Sequence, residues 1–177
     1  MVIKNPAPYR GIQMPFTRKS RVKSKAYIKT VPPSAIVKFA MGNNKKWNQN
    51  GFQYKAEIVS EVDCQIRDVA LEASRQQLLR VLTEQLGNDF FMGVSVYPHH
   101  MLREHKQAAV AQADRMSQGM SLSFGKTVGR AAQVHKGKAI FTFGLNNEAA
   151  IVKVRNIYNK TKQKLPIVTR FEIKKIF

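Results

Sequence analysis

The chain has 177 residues, a length that suits one compact domain with a full core plus appendages. Thirty lysines and arginines face 11 acidic residues, and the formal charge of +19 disfavours a compact fold unless a polyanion, most naturally nucleic acid, is bound. A single cysteine excludes an internal disulfide, and no stretch reaches the roughly 18 apolar residues of a membrane span. We therefore expect a soluble cytoplasmic protein without a membrane partner.

The first 34 residues form the first predicted unit. Residues 1–50 carry 11 basic side chains and no acidic one, and 1–34 shows neither a helical nor a strand period. We expect a basic arm that does not order itself. A solvated tail is the alternative, but Tyr9, Phe16 and Tyr27 are interleaved with the charges, and aromatic rings stack on exposed RNA bases while cations meet phosphates.

Two strands with a loop between them are predicted next. The apolar run at 35–41 indicates a strand, and the alternation at 54–62 indicates a half-buried strand. The ten residues 42–51 predict the connecting loop. The buried side of the second strand would carry Tyr54, Ala56, Ile58 and Val62.

The clearest helix is predicted at 67–86, with Gly87 as its left-handed stop. A third strand is expected at 90–97, and a hairpin at 132–143 that turns at Lys136 and Gly137. The apolar stripe of the helix consists of Leu71, Leu78, Leu79, Leu82 and Leu86.

A second helix is predicted from Glu148 to about Lys162, capped by Asn146 or Asn147, and a strand at 167–173 closes the sheet. Strands outnumber helices without strict alternation, which favours an α+β class with two helices on one mostly antiparallel sheet. The buried stripe of the second helix would be Ile151, Val154, Tyr158 and Thr161, and its outer face Lys153, Arg155, Lys160 and Lys162.

Four features of the sequence could carry chemistry. GMSLSFGKT at 119–127 approaches a phosphate-binding P-loop, but five residues instead of four separate its glycines, and no buried strand precedes it. KGKAIFTF at 136–143 approaches an RNA-recognition-motif signature, but Lys138 and Ile140 replace two stacking aromatics, so a core strand is the favoured interpretation. The histidines at 99, 100 and 105 lack partners for a metal site, and Cys64 indicates a buried hydrophobe. We expect no catalytic residue, cofactor or metal.

Four strings of the sequence resemble one family. They are YR at 9–10, TRK at 17–19, YIKTVPPSAIVKFAMGN at 27–43 and ADRMSQGMSLSFGKTVGRAAQVHKGKAIF at 113–141. They resemble, in the right order and over nearly the whole chain, the large-subunit ribosomal protein family called ten-e in archaea and sixteen in bacteria. The length resembles the archaeal type. The resemblance implies an α/β-hammerhead-like α+β domain at 35–177, following the arm, with a long internal loop at about 103–128.

The resemblance also implies RNA contacts. It assigns the arm to ribosomal RNA, and the loop to the peptidyl-transferase region and the tRNA acceptor or elbow. With the other basic positions, the expected rRNA-binding residues are Arg10, Arg18, Lys19, Arg21, Lys23, Lys25, Lys45, Lys46, Lys136, Lys153 and Arg155. The expected tRNA-proximal residues are Arg103, Arg115, Gly119, Met120, Phe124, Gly125 and Lys126.

The function predicted from these observations is a structural constituent of the large ribosomal subunit. It would bind rRNA and help to form the tRNA-binding cleft, with neighbouring ribosomal proteins and assembly factors as further partners. Two alternatives remain: an RNA-recognition-motif-like protein that binds single-stranded RNA, and a nucleotide-dependent RNA-processing enzyme.

Overall fold

A computed structural model describes residues 7–12, 28, 30–104 and 125–176. The strands are β1 (Ala40–Gly42), β2 (Tyr54–Ser60), β3 (Cys64–Arg67), β4 (Phe91–Val94), β5 (His100–Glu104), β6 (Lys126–Val134), β7 (Ala139–Leu145) and β8 (Thr169–Lys175). The helices are α1 (Asn44–Asn48), α2 (Asp68–Leu86) and α3 (Glu148–Thr161), with short 3-10 segments at Ala7–Arg10 and Lys162–Lys164. The expected α+β class is confirmed.

The strands form two antiparallel sheets, where the sequence predicted one. The larger sheet has the order β1-β4-β7-β2-β8, and the smaller has the order β3-β6-β5. Side chains from both sheets and from α2 and α3 enter one continuous core, for example Ile66, Phe141, Leu78 and Val154. The division into two sheets does not divide the core.

The predicted hairpin at 132–143 is wrong in its pairing. The turn is present, with Gly137 at φ +81, but β6 belongs to the smaller sheet and β7 to the larger. The turn instead bonds to the β2–β3 connection, because Gly137 N–H donates to Ser60 O at 2.8 Å and Ser60 N–H donates to Lys138 O at 3.0 Å. The chain therefore passes between the sheets at two adjacent places.

The helix predicted at 67–86 is confirmed as α2, with Arg67 at its N-cap and Gly87 at φ +61 after its end. Leu71, Leu78 and Leu82 are fully buried, while Leu79 and Leu86 pack against the core only in part. The strand β3 directly before the helix was not predicted, because four residues are too few to show a period.

The second predicted helix is confirmed as α3, and its four stripe residues are all buried. Asn147 occupies the N-cap but its side chain makes no capping hydrogen bond. At the other end, the Tyr158 hydroxyl donates to Thr169 O at 2.5 Å, which fastens α3 to β8.

Several predicted bounds need correction. Only the end of the strand expected at 35–41 is a strand, since β1 begins at Ala40. Val62 is 43 % exposed, because the chain leaves the larger sheet after Ser60. The strand expected at 90–97 is shorter, and the expected loop at 42–51 contains α1, where Asn43 Oδ1 accepts from Lys46 N–H at 3.0 Å.

Candidate nucleic-acid interface

The residues on either side of the predicted long loop form the strands β5 and β6, which pair with each other. In β5 and β6, Arg103 lies opposite Thr127 and Glu104 opposite Lys126. The expected loop at 103–128 is therefore too wide, since residues at both of its ends belong to the antiparallel pair of β5 and β6, which we call the β5–β6 ribbon. Strand structure extends this far because β-branched residues such as Thr127 favour extended backbone.

Lys126 stands exposed at the beginning of β6, and Gly125 precedes it with φ +130. Side-chain-bearing residues rarely adopt this φ, so the glycine permits the turn into the strand. The pair Lys126 and Thr127 lies within a strand, whereas a P-loop places the corresponding lysine and hydroxyl residue at the start of a helix. The nucleotide-hydrolysis alternative is therefore wrong on geometry.

A buried tyrosine ties the N-terminal segment to this ribbon. The Tyr9 hydroxyl donates to Arg103 O at 2.7 Å, and its ring packs against Leu102 and Ala131. Burial, and after it the charge of Glu104, raises the pKa of Tyr9. Tyr9 was expected on an exposed, unordered arm. It is buried instead, because the ribbon has an apolar outer face that needs a cover.

Two glutamines continue the attachment of the arm. Gln65 Nε2 donates to Gly11 O, and Gln133 Nε2 donates to Ile12 O at 3.0 Å. Amide side chains thus bind the main chain of the segment along the smaller sheet. Arg10, between these anchors and Tyr9, is exposed at the surface.

The outer face of α3 carries the expected charges. Lys153 and Arg155 are both exposed, with Lys153 Nζ 3.4 Å from Gln85 O and the Arg155 guanidinium 5.8 Å from the Phe171 ring centre. Each contact is made by the charged group itself, and both side chains remain exposed to solvent. The helix therefore presents a basic face that can meet phosphates.

The basic pair in α1 is divided between two roles. Lys45 is exposed, whereas Lys46 is half-buried with its ammonium 5.1 Å from the Phe52 ring centre. Trp47 stacks on Phe91, with ring centres 4.3 Å apart and planes 9° apart. Part of the Lys46 charge thus serves internal cation–π packing.

Lys136 lies two residues beyond the end of β6 that is opposite Lys126, and the strand itself is roughly 27 Å long at about 3.4 Å per residue. Its side chain is exposed, but its N–H donates to Asp63 Oδ1 at 2.6 Å, and His135 Nδ1 is 3.7 Å from the same oxygen. The acidic Asp63 therefore lies beside the basic residues of this turn. The turn is at the other end of β6 from Lys126.

The structure thus links Arg10 to Arg103 through the hydrogen bond of the neighbouring Tyr9, and Lys126 lies on the strand that pairs with that of Arg103. Lys45, Lys46, Lys136, Lys153 and Arg155 lie on other elements. Outside the described residues lie Arg18, Lys19, Arg21, Lys23, Lys25, Arg115, Gly119, Met120 and Phe124, and with them Phe16 and Tyr27.

Two basic residues that the sequence reasoning missed, Arg67 and Lys164, line a cleft of about 210 Å³ together with Arg10. The three are far apart in the sequence. No local motif marks them, and only the packing of the N-terminal segment on β3 and α2 makes them neighbours.

The RNA-recognition-motif alternative fails at its aromatic positions. Phe141 and Phe143 are both 0 % exposed and belong to the core between sheet and helices. Rings in that position have no face available to a base, so the core-strand interpretation of 136–143 is confirmed.

Among residues 7–12, 28, 30–104 and 125–176, no group of three histidine, cysteine or acidic side chains is arranged to hold a metal ion. Cys64 is 2 % exposed, and burial raises the pKa of its thiol, as expected of a buried hydrophobe and not of a nucleophile. In the same part of the chain no helix is both long and apolar enough to cross a bilayer.

A basic surface, with Gly125 and Lys126 at the start of β6, is typical of a protein that binds nucleic acid. The sequence profile of the family "Ribosomal protein L16p/L10e" matches residues 14–172, and the chain belongs to this family. Membership of a ribosomal protein family confirms the expectation of a structural constituent and not an enzyme.

Curated relatives cover nearly the whole chain. The large ribosomal subunit protein uL16 of Methanospirillum hungatei is 38 % identical over 175 residues, which is 98 % of this chain and 96 % of that protein. The protein of the same name from Thermoplasma acidophilum is 39 % identical, covering 99 % of this chain and 94 % of its own length. That from Nanoarchaeum equitans is 36 % identical, covering 93 % and 89 %. The similarity to archaeal proteins agrees with the resemblance in length.

Proposed function

We propose that this chain is a constituent of the large ribosomal subunit that binds large-subunit rRNA and catalyses nothing itself. The observation that carries the proposal is the near full-length similarity to proteins named as large-subunit components, in a chain with a formal charge of +19. Lysines and arginines that meet phosphates release condensed counterions, which supplies binding free energy.

The rRNA contacts in this proposal begin with Arg10, which Tyr9 and Gln65 fix on the smaller sheet. The arm residues Arg18, Lys19, Arg21, Lys23 and Lys25 follow Arg10 in the sequence and belong to the same proposed contact. Lys153 and Arg155 on α3 provide a second contact, and Lys45 and Lys136 provide minor ones. Lys46 contributes least, because its ammonium lies over Phe52.

We further propose that the loop between β5 and β6 reaches toward tRNA in its acceptor or elbow region. The supporting features are the exposed Lys126 beside Gly125 and its position in the ribbon that Tyr9 braces. Arg103, Arg115, Gly119, Met120 and Phe124 belong to this proposed tRNA-proximal segment. Neighbouring ribosomal proteins and assembly factors complete the expected partners.

The rRNA proposal is tested by equilibrium binding of the full chain to purified large-subunit RNA across a salt series. We expect the logarithm of the binding constant to fall linearly and steeply with the logarithm of salt concentration. Co-sedimentation with large subunits through a high-salt wash gives the parallel test in cell extracts. A flat salt dependence together with loss of the protein from the subunit in the wash would contradict the proposal.

The tRNA proposal is tested in reconstituted subunits that carry Lys126→Gln, with Lys136→Gln as the charge-matched control at the far end of β6. Tight incorporation of both variants with weaker tRNA binding only for Lys126→Gln supports it. Equal tRNA affinity of the two variants contradicts it and leaves the rRNA proposal intact.

A further inference from the structure

We propose that the cleft between the N-terminal segment and the start of α2 binds a single unstacked RNA nucleotide, with its base inside and its phosphate at the rim. The inference rests on the proposed function for the source of the RNA. It adds a defined site for one nucleotide, assembled from elements that no local motif connects.

The size of the cleft suits one base. Its volume is about 210 Å³, below the roughly 300–1,000 Å³ of pockets for drug-sized ligands. An RNA duplex is too wide to enter, since its bases remain stacked and paired. A base splayed out of a loop or bulge is the RNA element that single-base pockets accept.

The walls of the cleft are largely apolar. Tyr9 and Leu165 line it and are each 6 % exposed, and the half-buried Ala70 and Pro166 complete the surface. Flat aromatic and proline surfaces suit the faces of a planar base. A free phosphate gains nothing from such walls, so they favour a ligand with a ring.

Three cations stand at the same cleft: Arg10, Arg67 and Lys164. Within the described part of the chain none of them forms an ion pair. The carboxylate next to Arg67 is engaged elsewhere, because Asp68 accepts from Ala35 N–H and from Val69 N–H, each at 2.9 Å. The uncompensated positive charge favours a phosphate group, and arginine can bind it with two parallel hydrogen bonds.

A buried acceptor points to a base and not to phosphate alone. Gln65 lines the cleft and is 2 % exposed; its Nε2 donates to Gly11 O, but its Oε1 has no hydrogen-bond partner among the described residues. A buried polar atom without a partner destabilises the fold, because it has lost its hydrogen bonds to water. Each RNA base carries an amino or imino N–H able to donate to it, whereas the phosphodiester group of an RNA chain carries only acceptors at neutral pH.

The direct test is a titration of the isotope-labelled full chain, followed by amide NMR shifts. The probes are the four nucleoside 5′-monophosphates and inorganic phosphate alone. We expect nucleotides to shift Gln65, Ala70 and Leu165 together with Arg67, and phosphate to shift the rim residues only. Equal shift patterns for phosphate and nucleotides, or no shifts at all, would overturn the proposal.

A matched pair of charge variants locates the site. Lys164→Gln and Lys162→Gln each remove one exposed lysine from the same short 3-10 segment, and Lys162 does not line the cleft. We expect Lys164→Gln to raise the nucleotide dissociation constant severalfold and Lys162→Gln to leave it within about twofold. Equal effects would place the binding elsewhere.

A blocking variant links the cleft to ribosomal RNA. Ala70→Phe fills the cleft from the first turn of α2, and Ala149→Phe makes the same change on the exposed first turn of α3. With both folds verified by circular dichroism, Ala70→Phe should weaken binding to large-subunit RNA about tenfold. If Ala70→Phe binds large-subunit RNA as tightly as the wild type does, the cleft proposal is overturned and the proposed function stands. If the wild type itself does not bind this RNA, the proposed function is refuted. Should Ala70→Phe fail to fold, the lysine pair decides.

Discussion

The Tyr9 hydroxyl lies 2.7 Å from the main-chain oxygen of Arg103, 94 residues away in the sequence. This hydrogen bond joins the N-terminal segment to the end of β5. Because the same tyrosine covers Leu102 and Ala131, the N-terminal segment and the β5–β6 ribbon behave as one body. Arg10 is therefore presented at a fixed distance from the loop base.

Removing this hydroxyl should destabilise the protein measurably. Tyr9→Phe keeps the ring packing and deletes the donor, so we expect the free energy of unfolding in urea to fall by about 1 kcal/mol. Tyr97→Phe is the control, because Tyr97 is 55 % exposed and its hydroxyl makes one longer contact, 3.3 Å to Arg130. The control should lose less than about 0.5 kcal/mol. Equal losses would mean that the buried hydrogen bond of Tyr9 contributes no more to the free energy of unfolding than the exposed contact of Tyr97.

A glycine in β7 makes room for two aromatic rings. A Cβ at Gly144 would lie 2.8 Å from Trp47 Cε3 and 2.9 Å from Phe52 Cδ2. Gly144→Ala should therefore lower the free energy of unfolding by about 1–3 kcal/mol, because the stacked Trp47 must move. Gly129→Ala in β6, where nothing lies within 4 Å of the added carbon, is the control and should be close to neutral. A neutral Gly144→Ala would contradict this packing.

Glu57 on β2 should give the fold an acid-dependent stability. It lies 2.9 Å from Lys55 Nζ and 3.4 Å from Lys174 Nζ. Burial by itself raises the pKa of Glu57, but the hydrogen bonds and charges of the two lysines outweigh it and lower the pKa below its ordinary value. A depressed folded pKa stabilises the protein above the unfolded value of about 4.3, and this contribution is lost as the pH falls through the folded pKa.

Unfolding at pH 7 and near pH 3 measures this effect. Glu57→Gln should reduce the difference in unfolding free energy between about pH 7 and about pH 3, since the amide does not titrate. Glu61→Gln, an exposed carboxyl next to the end of β2, is the charge-matched control. A difference unchanged by Glu57→Gln would show that the ion pairs do not contribute.

The burial of Phe141 distinguishes this fold from a sheet that stacks RNA bases on exposed aromatic rings. Phe141→Ala removes a ring that is 0 % exposed, so we expect a loss of about 3–5 kcal/mol in unfolding free energy. Thermal unfolding followed by circular dichroism is the measurement. A stacking residue would instead leave stability nearly intact and weaken RNA binding, as an exposed aromatic can. Retained stability with lost RNA affinity would revive the RNA-recognition-motif alternative.

The basic face of α3 should be visible in the salt dependence of RNA binding. The double variant Lys153→Gln with Arg155→Gln removes two exposed charges. If both meet phosphates, the magnitude of the log–log salt slope should fall by about 2. Arg80→Gln with Lys55→Gln, which removes two charges paired with Glu84 and Glu57, is the control and should change the slope less. Equal changes would indicate a diffuse field in place of contacts.

The sequence predicted the elements better than their partners. The leucine stripe of α2 and the apolar face of α3 have a helical period, and β2 alternates, so local patterns suffice for them. Pairing is not local: the turn at Lys136 and Gly137 looks like a hairpin, yet its strands bond to partners in different sheets. A turn signal fixes the chain reversal and leaves the hydrogen-bonded neighbours undetermined.

Of the candidate site, only the exposed charged residues could be predicted from the sequence. Exposed cations such as Lys153 follow from helical spacing, but the burial of Tyr9 depends on an apolar ribbon face formed some 90 residues later. For the same reason no sequence pattern marks the cleft at Arg10, Arg67 and Lys164. Their proximity arises from tertiary packing alone.

The position of β2 has a consequence for synthesis of the chain. β2 lies between β7 and β8, both made after residue 138. Until then both edges of this strand lack their partners, and unpaired strand edges invite association with other chains. A product that stops before Ala139 thus leaves both edges of β2 without their partners. The pairing of β2 is complete only after β8 has been made.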